Sequence, residues 1–305
     1  MKKILLTILI VLITADIFCA TRFVVVSDTQ GRYNGVNDKV YSKAVECIIK
    51  LEPKPALVFY CGDIVNDGAS GKDEEYDHWL EVTKPITSAR IPVYVTAGNH
   101  DFDLGANKGI DKFKKVFNFP KNGPENYKGI TYSFDLDNIH FLSYYYAMSG
   151  GEQSGWLKKD LESTAKAHIF VFTHVPPFPI GYYDRVEPKE EDERGTLAYK
   201  SFIKRRDAFW GLFDKNNIDI LFCGHEHNYS RWLIDSKVNP AWKNKIYQII
   251  TVCGGSLRSL KIEEPEVFSA VYNFVVVDVD GNKVTVKAYD ITNKLIDNFN
   301  YIKTR

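Results

Sequence analysis

The chain has 305 residues, 45% of them hydrophobic and 26% charged, with 39 basic side chains against 39 acidic ones. That composition excludes a disordered, collagenous or coiled-coil protein, and the length suffices for one large α/β domain with a sizeable core. Zero net charge gives no electrostatic footprint for nucleic acid, which is not expected as a structural partner.

The chain opens on what reads as a targeting segment. Lys2 and Lys3 precede the apolar run Ile4–Ile13, too short to span a bilayer but the size of the apolar region of a secretory signal. Cleavage after Ala20 is predicted, leaving residues 21–305 as one exported domain, secreted or periplasmic, with no transmembrane segment. Lipidation of Cys19 is the less favoured alternative, because Asp16-Ile17-Phe18 is a poor context for it. Removing Lys2, Lys3 and Asp16 leaves the charges balanced to within one. Cys47, Cys61, Cys223 and Cys253 remain; an oxidising compartment permits disulfides, but Cys61 and Cys223 lie inside apolar runs, so buried free thiols are predicted.

From there, short β-branched and aromatic runs recur in chain order at Phe23–Val26, Ala56–Tyr60, Pro92–Thr96, Ile169–Thr173 and Ile218–Phe222. Continuous apolar runs of this length predict strands buried on both faces. Between them Val36, Val40, Ala44, Cys47, Ile48 and Leu51 recur at helical spacing. Further helices are predicted from about Lys72 to Ser88, from near Gln153 with Trp156, Leu157 and Leu161 on one face, and over Ser201 to Lys215. Thr131–Leu136 with Ile139–Tyr145, and Phe274–Val279 with Lys283–Tyr289, read as antiparallel hairpins around polar turns. Alternating strands and helices imply βαβ crossovers, and the hairpins make the sheets mixed. The charged stretch Tyr182–Arg194 reads as a solvated loop.

Each of the five runs ends in residues a core would not choose. Phe23–Val26 leads to Ser27-Asp28-Thr29-Gln30, Ala56–Tyr60 to Cys61-Gly62-Asp63, and Pro92–Thr96 to Gly98-Asn99-His100-Asp101. Ile169–Thr173 leads to His174, and Ile218–Phe222 to Gly224-His225-Glu226-His227-Asn228. Singly, Asp28 or Asp63 also fits a turn cap and His174 a loop histidine. Together they set carboxylates, an amide and several imidazoles at the carboxyl ends of strands, where ligands of α/β sheets bind, and that donor mixture is what Mn, Fe or Zn prefers. Cys253-Gly254-Gly255-Ser256 fits either a close-approach loop beside that site or a simple turn. The Asn228-Tyr229-Ser230 sequon is read as unoccupied, since a glycan would crowd it.

These motifs, in this order from Asp28 to His227, resemble the calcineurin-like metallophosphoesterases, and Gly224-His225-Glu226-His227 through Arg231 is similar to the purple acid phosphatase branch. The resemblance implies a four-layer αββα sandwich with two mixed β-sheets and a site for two divalent or trivalent metal ions, Mn, Fe or Zn. On it, Asp63 bridges the metals, Asp28 and His227 complete one site, and Asn99, His174 and His225 the other. Gln30 stands where the family has a histidine, and supplies an amide oxygen or leaves that position to water. Asn66 stands where purple acid phosphatases have a ligating tyrosine, so a colourless protein is expected. His100 would face the phosphate as a catalytic group oriented by Asp101, with Asn99 beside it, while Tyr229 and Arg231 are candidate phosphate contacts.

The activity so implied is hydrolysis of a small phosphomonoester by a metal-bridging hydroxide. A phosphodiesterase or nucleotide hydrolase is the nearest alternative. A non-catalytic metal or phosphate binder, or an exported surface protein on an enzyme scaffold, represents other classes. Asp28, Asp63, Asn99, His100 and Asp101 favour the enzyme, because a binder needs neither His100 nor Asp101.

Overall fold

A computed structural model describes residues 20–68, 73–102, 109–145, 152–181, 193–261 and 263–304. The expected signal segment at residues 1–19, and most of the charged stretch Tyr182–Arg194, lie outside the described residues. The chain begins with β1 (Thr21–Val26), β2 (Gln30–Gly31), β3 (Gly35–Val36), α1 (Asp38–Ile48), β4 (Leu57–Tyr60), α2 (Asp73–Ser88), β5 (Val93–Val95) and α3 (Ile110–Val116). It continues with β6 (Tyr132–Leu136), β7 (Ile139–Ser143), α4 (Glu152–Ser163), β8 (His168–Phe172), α5 (Glu193–Lys215) and β9 (Ile220–Cys223). Last come β10 (Tyr229–Ile234), β11 (Ile246–Ile250), β12 (Val267–Ser269), β13 (Asn273–Asp280), β14 (Lys283–Asp290) and β15 (Leu295–Ile302).

Two mixed sheets result, one in the order β15-β14-β13-β1-β4-β5 and the other in the order β12-β10-β11-β9-β8-β7-β6. Strands β1, β4 and β5 are mutually parallel, as are β7, β8, β9 and β11, whereas both expected hairpins, β6–β7 and β13–β14, are antiparallel. The period of two along each buried strand divides its side chains between two cores. In β8, Phe170 and Phe172 join the first core, and Ile169 and Val171 the second; in β9, Ile220 and Phe222 face one way and Leu221 and Cys223 the other.

The first core contains the seam between the sheets, built from aromatic rings. Phe59 stacks on Phe172 with ring centroids 3.7 Å apart, and Phe23 meets Phe141 and Phe170 edge-on at 5.1 and 4.9 Å. The same core holds Tyr41, Ala44 and Ile48 of α1 and Trp79 of α2, on the outer face of the first sheet. The second core packs Leu157 and Leu161 of α4 and Trp210 and Phe213 of α5 against the outer face of the second sheet. Helices, sheet, sheet, helices is the four-layer αββα arrangement. Cys61, Cys223 and Cys253 are buried free thiols, while Cys47 is partly exposed.

Helices α1 and α5 differ most from the sequence reading. Val36 belongs to β3, not to α1, because apolar spacing reports that a side chain is buried without saying in which element. Helix α5 starts at Glu193, so Glu193 and Arg194 are helical instead of looped. No helix among the described residues is long and apolar enough to cross a membrane.

The inter-sheet seam gives the first prediction. Phe172 touches the rings of Phe59, Phe141 and Phe222, so Phe172→Ala leaves a cavity between two sheets that cannot collapse locally. A loss of about 3–5 kcal/mol in unfolding free energy is expected from urea denaturation; a loss below about 1 kcal/mol contradicts the seam as the organising core.

Candidate metal centre

Parallel pairing brings the carboxyl ends of β1, β4 and β5 to one edge of the first sheet and those of β8 and β9 to the adjoining edge of the second. Main-chain hydrogen bonds lock the loops that follow. Asp28 donates to the Gly62 carbonyl at 3.0 Å, Gln30 to Asp63 at 3.2 Å, Gly224 to His174 at 2.9 Å and Gly255 to Asp28 at 2.8 Å. Asp28, Asp63, His225 and His227 all adopt positive φ, at 51°, 50°, 71° and 52°. Each such non-glycine conformation costs about 1–3 kcal/mol and persists only where its surroundings enforce it. Close approach also demands two glycines. A Cβ on Gly98 would overlap Asp63 Oδ1, and one on Gly255 would sit 2.5 Å from His227 Cε1, so the Cys253–Ser256 segment is the close-approach loop and not a free turn.

One group of donors surrounds His174. Its Nδ1 donates to the Cys61 carbonyl at 2.8 Å, which leaves Nε2 facing Asp63 Oδ2, Asn99 Oδ1 and His225 Nδ1, each at 3.1 Å. A second group surrounds His227. Its Nδ1 donates to the Ser256 carbonyl at 2.9 Å, leaving Nε2 3.3 Å from Asp28 Oδ1. The Gln30 amide is satisfied with its nitrogen donating to the carbonyls of Asp63 at 2.9 Å and Asp28 at 3.1 Å, which turns its oxygen toward His227 Nε2 at 3.3 Å. Asp63 lies between the groups. Its Oδ1 accepts the His100 N–H at 2.8 Å, and its Oδ2 faces His174 on one side and the Gln30 amide, at 3.3 Å, on the other.

Both histidine Nδ1 protons are spent on carbonyls, so each inward Nε2 meets its carboxylate and amide oxygen neighbours only through a further proton or a bound cation. Acceptors gathered this closely are stable only with a cation or a proton among them. The electrostatics agree. Burial would raise the Asp28 carboxyl, but its hydrogen bond to His227 and the neighbouring imidazoles hold it at about 2. Burial would lower His174, yet the charges of Asp63 and Asp28 push it up to about 10. The donor set of hard oxygens and imidazoles fits Mn, Fe or Zn.

Two sequence expectations need correction. Asp101 does not orient the His100 ring. It is fully buried and accepts main-chain N–H groups of Gly98 at 2.7 Å, Asp63 at 2.8 Å and Ile64 at 3.0 Å, clamping two of the metal-site loops together. Burial and the facing Asp63 charge push its carboxyl up to about 7, against the pull of the Gly98 and Ile64 N–H groups. The His100 ring is instead held through Nδ1 by the Asn66 carbonyl at 2.6 Å, and Glu75 of α2 fixes that turn by accepting the N–H groups of Asn66 and Asp67 at 3.1 and 2.7 Å. Tyr229 and Arg231 do not face the site either. The Tyr229 hydroxyl and Arg231 Nε both donate to Asp297 Oδ2 at 2.7 Å, and Arg231 also pairs with Glu266 and lies over the Phe299 ring. These contacts tie β10 to β15.

Sequence reasoning passed over Glu226 and Arg258. The buried Glu226 carboxylate accepts the N–H groups of Ile180 at 2.6 Å and Gly181 at 3.0 Å, holding the loop after His174 to the last motif. Arg258 donates its main-chain N–H to the His227 carbonyl and Nη1 to the His225 carbonyl. For Glu226 the signal was present, as a charged residue framed by two ligand candidates. Asn228 is buried, with its Nδ2 donating to the Glu226 carbonyl, which closes the sequon to a glycan. Over the site opens a cleft of about 850 Å³, lined by Gln30, Asn66, His100, His227, Gly255 and Arg258 among others.

Residues 21–229 match the family model for calcineurin-like phosphoesterase. Purple acid phosphatase 15 of Arabidopsis thaliana is 30% identical over 162 residues, 51% of this chain and 28% of that protein. A probable glycerophosphodiester phosphodiesterase, GpdQ, of Arcobacter nitrofigilis is 31% identical over 208 residues, 66% of this chain and 67% of that protein. The chain thus spans only about a third of the length of the plant relatives it matches. The structure of purple acid phosphatase PPD1 from yellow lupin superimposes with a TM-score of 0.73 at 19% identity, covering 93% of this chain and 54% of that one, a likeness of fold. With the family match spanning most of the described chain, from β1 into β10, this protein belongs to the calcineurin-like phosphoesterases.

Proposed function

We propose that this protein is an exported, metal-dependent hydrolase of phosphomonoesters. The observation that carries the reading is the pair of donor groups meeting at Asp63, which reaches an open cleft through Gln30 and His227 with His100 beside them. Export rests on the basic and apolar character of the N-terminal segment. Asp28, Gln30, Asp63 and His227 would hold one ion, and Asp63, Asn99, His174 and His225 the other. When bound, such a pair supplies Lewis acidity toward phosphoryl oxygens and a nucleophilic water near neutral pH. Gln30 would offer a neutral oxygen in place of an imidazole nitrogen, which would weaken that ion's binding and shift preference toward Mn.

The chain's own groups do the rest. Asp101 holds the Asp63 and Gly98 loops at fixed separation, so the metal donors are preorganised before any ligand arrives. His100 keeps its Nδ1 proton on the Asn66 carbonyl, so it acts as an acid in its imidazolium form, passing the Nε2 proton to the departing oxygen of the ester and staying neutral with Nδ1–H in place. A diester is the second reading, favoured by the resemblance to the Arcobacter nitrofigilis protein.

Assay of p-nitrophenyl phosphate against bis(p-nitrophenyl) phosphate with Mn²⁺, Fe²⁺ and Zn²⁺ tests the proposal. Faster turnover of the monoester is expected; preference for the diester moves the chain to the second reading, and full metal occupancy without turnover of either ends the enzyme reading. His100→Ala should lower kcat by about 10²–10⁴ with metal content retained. Loss of metal in that variant would make His100 a ligand. The iron-loaded protein should show no intense visible charge-transfer band, because Asn66 replaces the ligating tyrosine and Tyr60 is buried with its hydroxyl 2.6 Å from that of Tyr41. An intense band would assign a tyrosinate to the site.

A further inference from the structure

A phosphoryl group occupies a small part of an 850 Å³ cleft, so the remaining walls receive the rest of the substrate. Those walls are built by the β2–β3 hairpin. Its base places Gln30 on the metal-site floor, and its tip carries Arg32 and Tyr33 to the rim, where Tyr33 is 98% exposed. Apolar surface of that size is ordinarily covered, yet this hairpin is rigidly mounted. Asn34 donates to Asp38 Oδ2 at 3.0 Å and lies 2.9 Å from His78 Nε2, while His78 Nε2 is 2.7 Å from Asp38 Oδ1. A Cβ on Gly35 would collide with the Glu75 side chain, so the hairpin is seated directly on α2. The backbone that carries the ring is therefore fixed at the rim, while the ring itself stands open to solvent.

The rim is also cationic. Arg32, Lys39 and Arg258 line the cleft, and Arg32 and Lys39 form no ion pair among the described residues. The acidic residue facing them, Asp38, is engaged by Asn34 and His78. A neutral alcohol leaving group would use neither feature. Tyr33 offers a face for a planar ring, which stacks on aromatic side chains whatever its identity, and Arg32 with Lys39 attracts a charge beyond the scissile phosphate.

Resting on the phosphomonoesterase reading above, we infer that the β2–β3 hairpin selects nucleotides carrying a second phosphate, with Tyr33 stacking on the base and Arg32 and Lys39 holding the second phosphate. The reaction is hydrolysis alone. A water oxygen bonds to phosphorus, the bond from phosphorus to the ester oxygen breaks, and that oxygen keeps the electron pair and takes a proton, giving inorganic phosphate and the alcohol.

The test measures kcat/KM of the metal-loaded enzyme on adenosine 3′,5′-bisphosphate, adenosine 5′-monophosphate and glycerol 2-phosphate. A falling order is expected, with about a tenfold step from glycerol 2-phosphate to the monophosphate and a smaller one from there to the bisphosphate. Tyr33→Ala should reduce the ratio of adenosine 5′-monophosphate to glycerol 2-phosphate about tenfold, mainly through KM. Arg32→Ala combined with Lys39→Ala should reduce the ratio of bisphosphate to monophosphate about fivefold, and raised salt should do the same to the parent enzyme. All three residues are exposed, so these variants should fold. Turnover of glycerol 2-phosphate with no preference for the adenosine compounds, or ratios unmoved by the substitutions, overturns the hairpin's role and leaves the phosphohydrolase standing. No turnover of any of the three overturns both.

Discussion

Three carboxylates, Asp28, Asp63 and Asp101, are buried where the ends of two sheets meet, and the local structure is organised by the need to neutralise them. Each buried charge carries a desolvation penalty of several kcal/mol unless hydrogen bonds and opposite charge offset it. Asp101 is offset by main-chain N–H groups and, at longer range, by the His174 ring, and its carboxyl is still raised by burial and the Asp63 charge. Asp28 has the His225 N–H and the His227 ring, and Asp63 has the His100 N–H and the His174 ring. Main-chain donors reach these oxygens only if the loops turn sharply, which is why left-handed residues cluster here. The conformational strain and the buried charge are consequences of one constraint.

Such a site persists because what lies beneath it cannot yield. The stacked rings of Phe59 and Phe172 and the edge contacts of Phe23 fix the spacing of the two sheets close behind the loops. If the sheets slid, the His174 and Asp63 donors, which come from opposite sheets, would separate. Donors drawn from two sheets therefore sense the inter-sheet packing directly, and core and chemistry are coupled through a few ångströms of backbone.

Much of this was legible in the sequence, and the misses have a common cause. Of the five strands that end in motifs, β1, β4, β8 and β9 are inner and buried along nearly their whole length, so their apolar runs announce them, while β5, a partly buried edge strand, shows the same run more briefly. Strand β15 is exposed along much of one face and alternates polar with apolar residues, which made it indistinct. Asp101, Tyr229 and Arg231 sit beside true motif residues in sequence, and proximity suggested partnership with the site. Their partners are set by direction instead. Tyr229 and Arg231 alternate onto the face of β10 that meets Asp297, a residue far along the chain that no local pattern connects to them. Asp101 faces the turn at Asp63, while His100, one residue earlier, faces the cleft. For Gly255 the sequence left a close-approach loop and a simple turn equally open, since only the placement of the His227 ring beneath it decides between them.

The balance of 39 acidic and 39 basic residues conceals a separation that matters more than the sum. A few acids, Asp28, Asp63, Asp101 and Glu226, are buried at the sheet ends, where the first two would draw cations inward. Uncompensated cations stand outside, on the β2–β3 hairpin and the start of α1, where they face a ligand's charge. The hairpin spans both regions, with Gln30 at the inner end and Tyr33 at the outer. A metal bound at the floor would stiffen the base of the hairpin through Gln30 and so steady the rim that recognises the leaving group. Affinity for the ion and selectivity for the ester then share one short element, and substitution of Gln30 would be felt in both.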